Sequence, residues 1–142
     1  MLSDQVRKFI AGEQDRQQGR FIRGITLDDY LKKLGEKAEL LLHYDAGICK
    51  GLVAYYCNDA ASRTAFISLL LVDPASRRTG VGKILFATVL EMIRQRSFER
   101  CRLAVDKHNF AALRFYERFG FSIVDEKAGQ HVLELELQSH SA

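Results

Sequence analysis

An almost uninterrupted apolar run in the middle of the chain constrains the fold most. Residues 64–72 read TAFISLLLV, and Asp73-Pro74 follows at once. A strand this apolar is typical of the interior of a sheet, where both faces are covered. Proline cannot donate a hydrogen bond to a strand ladder, so the strand has to end there. We therefore predict a central strand over residues 64–72.

The segments around this run supply its neighbours. Alternation of apolar and polar residues predicts strands over 38–44, 49–57, 100–105, 121–125 and 130–137. Helical periodicity predicts helices over 3–13, 27–34 and 80–96, and a fourth that Asn109 caps and Gly120 closes. Short turns make the first three strands an antiparallel meander, and helix 80–96 makes a right-handed parallel crossover. The expected fold class is α+β: a mixed, mostly antiparallel sheet with flanking helices and one central β-α-β crossover.

Finer points of this prediction concern element ends and faces. Thr26 should cap the second helix and Gly35 should stop it, while residues 14–19 should form a polar break after the first. The inner face of helix 80–96 should carry Val81, Ile84, Leu85, Thr88, Val89, Met92 and Ile93.

Length and composition narrow the class of protein. The chain has 142 residues, 47% hydrophobic and 27% charged, which fits one domain with a real core. Only residues 138–142 are expected to be disordered. The three cysteines lack C-x-x-C spacing, so we expect reduced thiols and no metal site. A net charge of +3 without a basic run argues against nucleic acid, and the longest apolar stretch is too short to span a membrane.

A glycine-containing loop follows the central strand. Arg77-Arg78-Thr79-Gly80-Val81-Gly82 leads into helix 80–96. The first turn of a helix leaves backbone N–H groups without partners and carries partial positive charge, and phosphates bind such ends. A P-loop would need glycine at position 77, and a dinucleotide fingerprint would need glycine at 85, where Leu85 stands. The loop indicates a pyrophosphate-bearing ligand, and the plainer alternative is a glycine N-cap with two solvated arginines.

Two motifs together resemble a known family. Leu71-Val72-Asp73-Pro74 with Arg77-x-x-Gly80-x-Gly82 resembles motif A of the GNAT N-acetyltransferases, and Asn109-x-x-Ala112-x-x-x-Tyr116-x-x-x-Gly120-Phe121 is similar to their second signature. The resemblance implies a single N-acetyltransferase domain over residues 1–142, with a helical acceptor-side segment over 1–37 and the sheet with its cofactor-binding core over 38–137. It also implies acetyl-CoA as co-substrate. The residues expected to bind it are Leu70, Leu71, Val72, Arg77, Arg78, Thr79, Gly80, Val81, Gly82, Lys83 and Asn109.

Tyr116 takes the position of the family's general acid. A departing thiolate has to be protonated or hydrogen-bonded, and a phenol suits that task. The alternative is a core aromatic beside Phe115 and Phe119. Many members carry a glutamate in the central strand where this chain has Ser68. The base is therefore open: it could be a water chain or another residue such as His43 or Asp106, or the amine could arrive already neutral.

The N-terminal region also departs from the family pattern. Members usually begin with a strand, whereas this chain begins with helical periodicity, so the first strand could be missing; residues 20–25 are a weak candidate. That region helps to form the acceptor site in the family. We expect a small-molecule amine as acceptor, and the alternative acceptor is a protein N-terminus or lysine. The alternative to an enzyme is a non-catalytic module that binds CoA. We also expect a cytoplasmic protein, in which the strand 130–137 could supply the edge of a homodimer.

Overall fold

The computed structural model describes residues 2–137. The predicted disorder of residues 138–142 concerns a segment that lies outside the described residues. By their contacts the described residues group into two compact units. The first unit holds residues 2–54 and 69–86, and the second holds residues 55–68 and 87–137.

Two helices open the chain, and both are longer than predicted. Helix α1 spans Asp4–Arg16 and α2 spans Leu27–Lys37. Ser3 and Thr26 cap them with side-chain oxygens that accept from the backbone N–H three residues on. The prediction that Gly35 stops α2 is wrong, because the glycine lies inside the helix and Ala38 is the C-cap. The predicted break over residues 14–19 begins too early: α1 continues to Arg16, whose side chain bonds Glu13, and only residues 17–19 form a turn.

In the part of the chain that the structure describes, six strands form one sheet. They are β1 (Glu39–Asp45), β2 (Ile48–Tyr56), β3 (Thr64–Val72), β4 (Arg100–Asp106), β5 (Ser122–Lys127) and β6 (Gln130–Glu136). Their order is β1-β2-β3-β4-β6-β5, so the meander and the central place of β3 are confirmed. Within residues 2–137 no strand precedes Glu39, and residues 20–25 contain only bends and irregular chain.

The faces of β3 differ from the prediction. Ala65, Ile67, Leu69 and Leu71 are buried, whereas Phe66 on the other face is 39% exposed. Thr64, Ser68, Leu70 and Val72 are half-buried. The expectation of two covered faces is therefore wrong, because an apolar run alone does not say how much of each face its neighbours cover.

The crossover helix α3 spans Val81–Gln95 and leads to β4, which pairs in parallel with β3. Leu85, Phe86, Val89 and Ile93 are buried on α3. Three members of its predicted inner face are exposed: Thr88, Ile84 at 67% and Met92 at 37%. The buried face of α3 is therefore narrower than the apolar pattern suggested, and it includes Phe86, which the predicted inner face did not contain.

The carboxyl-terminal strands have an order that the sequence did not predict. Strand β6 pairs antiparallel with β4 on one side and with β5 on the other. The edge that the sequence assigned to residues 130–137 is thus wrong, and β5 is the outer strand. Before these strands, α4 (Phe110–Arg118) buries Leu113, and Gly120 ends the helical segment with a φ of 103°.

Candidate active site

The loop after β3 is held by backbone and side-chain bonds. Asp73 accepts a hydrogen bond from the Ala75 amide at 3.1 Å and caps a 3₁₀ turn over Pro74–Ser76. The Asp73 amide donates to the carbonyl of Lys50 in β2 at 2.8 Å. The start of the loop is therefore anchored to the neighbouring strand.

The loop ends in the first turn of α3. Gly80 has a φ of 87°, a conformation that suits glycine, and a side chain there would meet nothing within 4 Å. The first hydrogen bond of the helix runs from the Ile84 amide to the Gly80 carbonyl at 3.1 Å. The amides of Val81, Gly82 and Lys83 precede this bond, so they have no acceptor within the helix and can bind an anion.

Charged and polar side chains surround these amides along the chain. Arg78 and Lys83 are exposed, and Arg78 has a φ of 67°. The Thr79 hydroxyl donates to the Ser76 carbonyl and so stiffens the loop. Two cations and three helix-start amides suit a ligand with two adjacent phosphates.

Gly82 has a packing role that the sequence did not reveal. A Cβ at this position would lie 3.3 Å from Cγ2 of Val72. A second glycine is tighter still: a Cβ at Gly51 in β2 would lie 2.7 Å from Cδ1 of Leu85. These two glycines let the first turns of α3 approach the strands closely, whereas Gly80 serves the turn itself.

Arg77 is the loop residue with the most defined contacts. Its Nε donates to the Val72 carbonyl at 3.2 Å, and its Nη2 donates to both carboxylate oxygens of Glu13 at 3.2 and 3.3 Å. The sequence assigned Arg77 to the cofactor. In the structure its guanidinium joins the last residue of β3 to α1.

Glu13 is the described charged side chain that lies deepest, with a residue exposure of 4%. Arg16, the last residue of α1, and Gln17, its C-cap, donate to the Glu13 carboxylate at 2.8 and 2.7 Å. Burial alone raises the pKa of this carboxyl. The hydrogen bonds from Gln17 and Arg16 and the charges of Arg77 and Arg16 outweigh burial, so the pKa lies below its ordinary value of 4.5. The sequence analysis missed Glu13, although arginine and glutamine at i+3 and i+4 were a visible signal.

Tyr116 lies in the second unit, on α4, among aromatic rings. Its ring centroid is 5.3 Å from that of Phe115 and 6.1 Å from that of Phe121. Burial raises the pKa of the phenol to about 12, because an apolar environment penalises the phenolate. The side chain is half-buried, and its hydroxyl keeps its proton throughout the physiological pH range.

Asn109 serves α4 as its N-cap. Its Oδ1 accepts from the Ala112 amide at 3.2 Å, and its own amide donates to the Asp106 carbonyl at 2.9 Å. The sequence predicted both a cap and a contact with the cofactor arm. The side-chain oxygen makes the predicted cap. The contact with the cofactor arm stays a prediction, and the side-chain NH₂ group is the part of Asn109 that could make it.

The base candidates His43 and Asp106, and Ser68 at the position of the family's glutamate, lie in different strands. Ser68 and His43 are half-buried in β3 and β1. Asp106, at the end of β4, accepts from the His108 amide at 2.8 Å. Sequence reasoning passed over His131 in β6, whose Nδ1 is buried without a hydrogen-bond partner among the described groups. Its place two residues before the fully buried Leu133 was the available signal.

The parallel ladder between β3 and β4 is short. It runs from Thr64–Arg100 to Ile67–Leu103, although β3 continues to Val72 and β4 to Asp106. Such a ladder is expected of strands that diverge, which the family resemblance implies.

Among residues 2–137 no group of three or more His, Cys, Asp or Glu side chains could hold a metal ion. None of the described helices has the length and apolarity that crossing a membrane requires.

Comparison with known proteins defines the class. The model of the Acetyltransferase (GNAT) family matches residues 7–121, which is most of the chain. The chain therefore belongs to the GNAT acetyltransferase family. The fold agrees: the ribosomal-protein-S18-alanine N-acetyltransferase of Escherichia coli aligns with a TM-score of 0.76 at 16% identity, covering 100% of this chain and 92% of that one. The PaiA N-acetyltransferase of Thermoplasma acidophilum, solved in complex with coenzyme A, aligns with a TM-score of 0.64 at 16% identity, covering 96% and 80%.

Curated relatives are more similar in sequence but much longer. The mycothiol acetyltransferase of Salinispora tropica is 41% identical over 63 residues, which is 44% of this chain and 20% of that protein. That of Beutenbergia cavernae is 31% identical over 104 residues, 70% of this chain and 35% of that protein. The chain thus spans about a fifth to a third of the length of these relatives.

Proposed function

We propose that the protein transfers the acetyl group of acetyl-CoA to a primary amine of a small molecule by direct attack in a ternary complex. Family membership carries this proposal, and the start of α3 supports it chemically. When bound, acetyl-CoA supplies an activated thioester: the C–N bond forms, the C–S bond breaks, and a proton lost by the amine ends on the thiol.

The residues at the start of α3 fit the pyrophosphate of CoA. The amides of Val81, Gly82 and Lys83 would donate to phosphate oxygens, with Arg78 and Lys83 adding charge. The backbone of Leu70–Val72 would bind the pantetheine arm as a strand does, and the NH₂ group of Asn109 would contact the arm as well. Thr79 and Gly80 would keep the loop in its binding conformation.

Tyr116 would act on the leaving thiolate. Complete proton transfer from a phenol of pKa about 12 to a thiolate whose thiol has a pKa of about 8.5 is uphill by roughly 5 kcal/mol. A hydrogen bond from the neutral phenol has no such cost and still stabilises charge that develops on sulfur. The proposed role is therefore a hydrogen-bond donor that stays protonated, with the final proton coming from the amine.

The acceptor class follows from a balance of similarities. The relatives with the higher sequence identity are named for mycothiol, a small molecule. The Escherichia coli neighbour is named for a protein alanine, but at 16% identity it supports the fold alone. We therefore favour a small-molecule amine and keep a protein N-terminus or lysine as the second candidate.

Three measurements test the proposal: calorimetry, the melting temperature and the release of free thiol. Titration calorimetry with acetyl-CoA should show saturable binding, and the melting temperature should rise with ligand concentration. Release of free thiol should then appear with a panel of small amines, and more slowly with peptides. Lys83→Ala should weaken binding, whereas Lys127→Ala, an exposed lysine on β5, should not. Binding without turnover on any amine or peptide would leave only a CoA-binding module, and no binding at millimolar ligand would refute the proposal.

A further inference from the structure

The carboxylate of Glu13 is an unusual group to find beside an anion-binding loop. It is buried, and it receives hydrogen bonds from three side chains: Arg16 at the end of α1, Gln17 at the C-cap, and Arg77, 64 residues away. A negative charge next to a phosphate site opposes phosphate binding. The position of the Glu13 carboxylate beside this loop therefore needs an explanation other than attraction of the ligand.

Arg77 supplies that reason through geometry. The planar guanidinium donates from Nε to the Val72 carbonyl and from Nη2 to Glu13, and its rigid fork allows both bonds at once. The Arg77 amide also closes the 3₁₀ turn by donating to the Pro74 carbonyl at 3.4 Å. One residue thus connects the end of β3, the preceding turn and α1, only three residues before Gly80.

We propose that Glu13 is a positioning residue for acetyl-CoA: it holds Arg77 against the end of β3 and so fixes the loop that presents the first amides of α3 to the pyrophosphate. This inference rests on the proposed function. In this proposal Arg77 holds the loop in place through its bonds to Val72 and Glu13. To contact the phosphate directly, its guanidinium would have to leave these partners. Glu13 acts through Arg77 and does not touch the ligand.

Glu13→Gln separates positioning from direct contact. Glutamine keeps the shape and one acceptor oxygen but removes the charge that holds the arginine. Positioning predicts that the Kd for acetyl-CoA rises about tenfold, as expected for the loss of a charge-assisted bond. If Arg77 binds phosphate directly, the same change removes a repulsive charge, releases the arginine and leaves the Kd unchanged or lower.

Arg77→Lys is the second variant. Lysine retains the charge but cannot make the two bonds with one planar group. Positioning predicts weaker binding, again by about tenfold. Arg16→Gln is the matched control, because it removes the other arginine on the same carboxylate and leaves the loop alone. Its Kd should stay within about twofold of the wild type even where the melting temperature of the free protein falls.

All Kd values are measured by calorimetry well below the melting temperature of each variant, with far-UV circular dichroism as the check on folding. Loss of affinity in Glu13→Gln and Arg77→Lys but not in Arg16→Gln supports the inference. Unchanged or tighter binding in Glu13→Gln overturns it while the proposed function stands. Equal losses in all three variants also overturn it, since they show a general structural defect. Absence of binding in the wild type overturns both.

Discussion

Glu13 in the first unit is buried and Tyr116 in the second is half-buried, and their pKa shifts favour the charged form of Glu13 but the neutral form of Tyr116. Glu13 is surrounded by two arginines and a glutamine, and its ionised form is favoured. Tyr116 packs on aromatic rings, and its neutral form is favoured, with a pKa raised to about 12. Burial sets the penalty for charge, and the neighbours decide whether the group bears it. The surroundings of Glu13 favour its carboxylate, and those of Tyr116 favour its protonated phenol.

Removal of the phenol should have the largest effect. Tyr116→Phe keeps the ring packing and deletes the hydroxyl, so we expect kcat for acetyl transfer to fall by about 10²-fold or more while the Kd for acetyl-CoA changes little. Tyr44→Phe, on a tyrosine that is 46% exposed, is the matched control and should keep full activity. Steady-state kinetics with a saturating amine measures both. An unchanged kcat in Tyr116→Phe would show that the tyrosine is only a packing residue.

Loss of the Glu13 charge should come second, and it should depend on pH. Because the folded pKa is depressed, the stabilising contribution is fully present above the ordinary value of 4.5 and is lost as pH falls through the folded pKa. We expect Glu13→Gln to cost about 2–3 kcal/mol at pH 7, since hydrogen bonds to buried charged groups are worth that much. Urea unfolding at pH 7 and pH 3.5 should show this difference shrinking. A cost that is the same at both values would mean that shape, not charge, matters.

Substitution of Gly51 should have a smaller effect. A Cβ at this position would lie 2.7 Å from Cδ1 of the buried Leu85. We expect Gly51→Ala to cost about 1–2 kcal/mol, the lower part of the range for overpacking, because the contact is the end of one leucine side chain. Gly12→Ala, in a helix where the nearest atom is 3.6 Å away, is the control and should be neutral or stabilising. Chemical denaturation measures both, and equal effects would contradict the packing role.

The ion pair between Arg102 and Glu134 should matter least. It joins β4 to β6 at 2.8 Å, as close as the pair between Arg16 and Glu13, and both arginine side chains are 47% exposed. The Glu134 side chain, however, is 16% exposed against 5% for Glu13, so water screens its charge more. A double-mutant cycle with alanine at both positions should give a coupling of about 0.2–1 kcal/mol. A coupling as large as that of Glu13 with Arg77 would contradict the contrast between the deeply buried carboxylate of Glu13 and the less buried one of Glu134.

The parts of the fold that local patterns encode were predicted well. The Asp73-Pro74 break, the Thr26 and Asn109 caps and the alternation in β6 all act within a few residues, so the order and type of the elements follow from them. The failures concern extents and neighbours. Gly35 did not stop α2, because a helix continues through glycine when bonds and packing beyond it suffice, and β6 became an inner strand because pairing order depends on distant segments.

For the site, the sequence by itself was enough to indicate the family and to predict the kind of ligand: glycines in a loop at the start of a helix, and a spaced Asn109–Tyr116 block, are local signals of short range. Only the tertiary structure decided what surrounds each group. It brought Glu13 to Arg77 across 64 residues, gave Gly82 a packing partner in Val72, and set Tyr116 among rings that hold its proton. The physical reason is that hydrogen bonds and burial depend on distance in space, and long-range contacts leave no periodic trace along the chain.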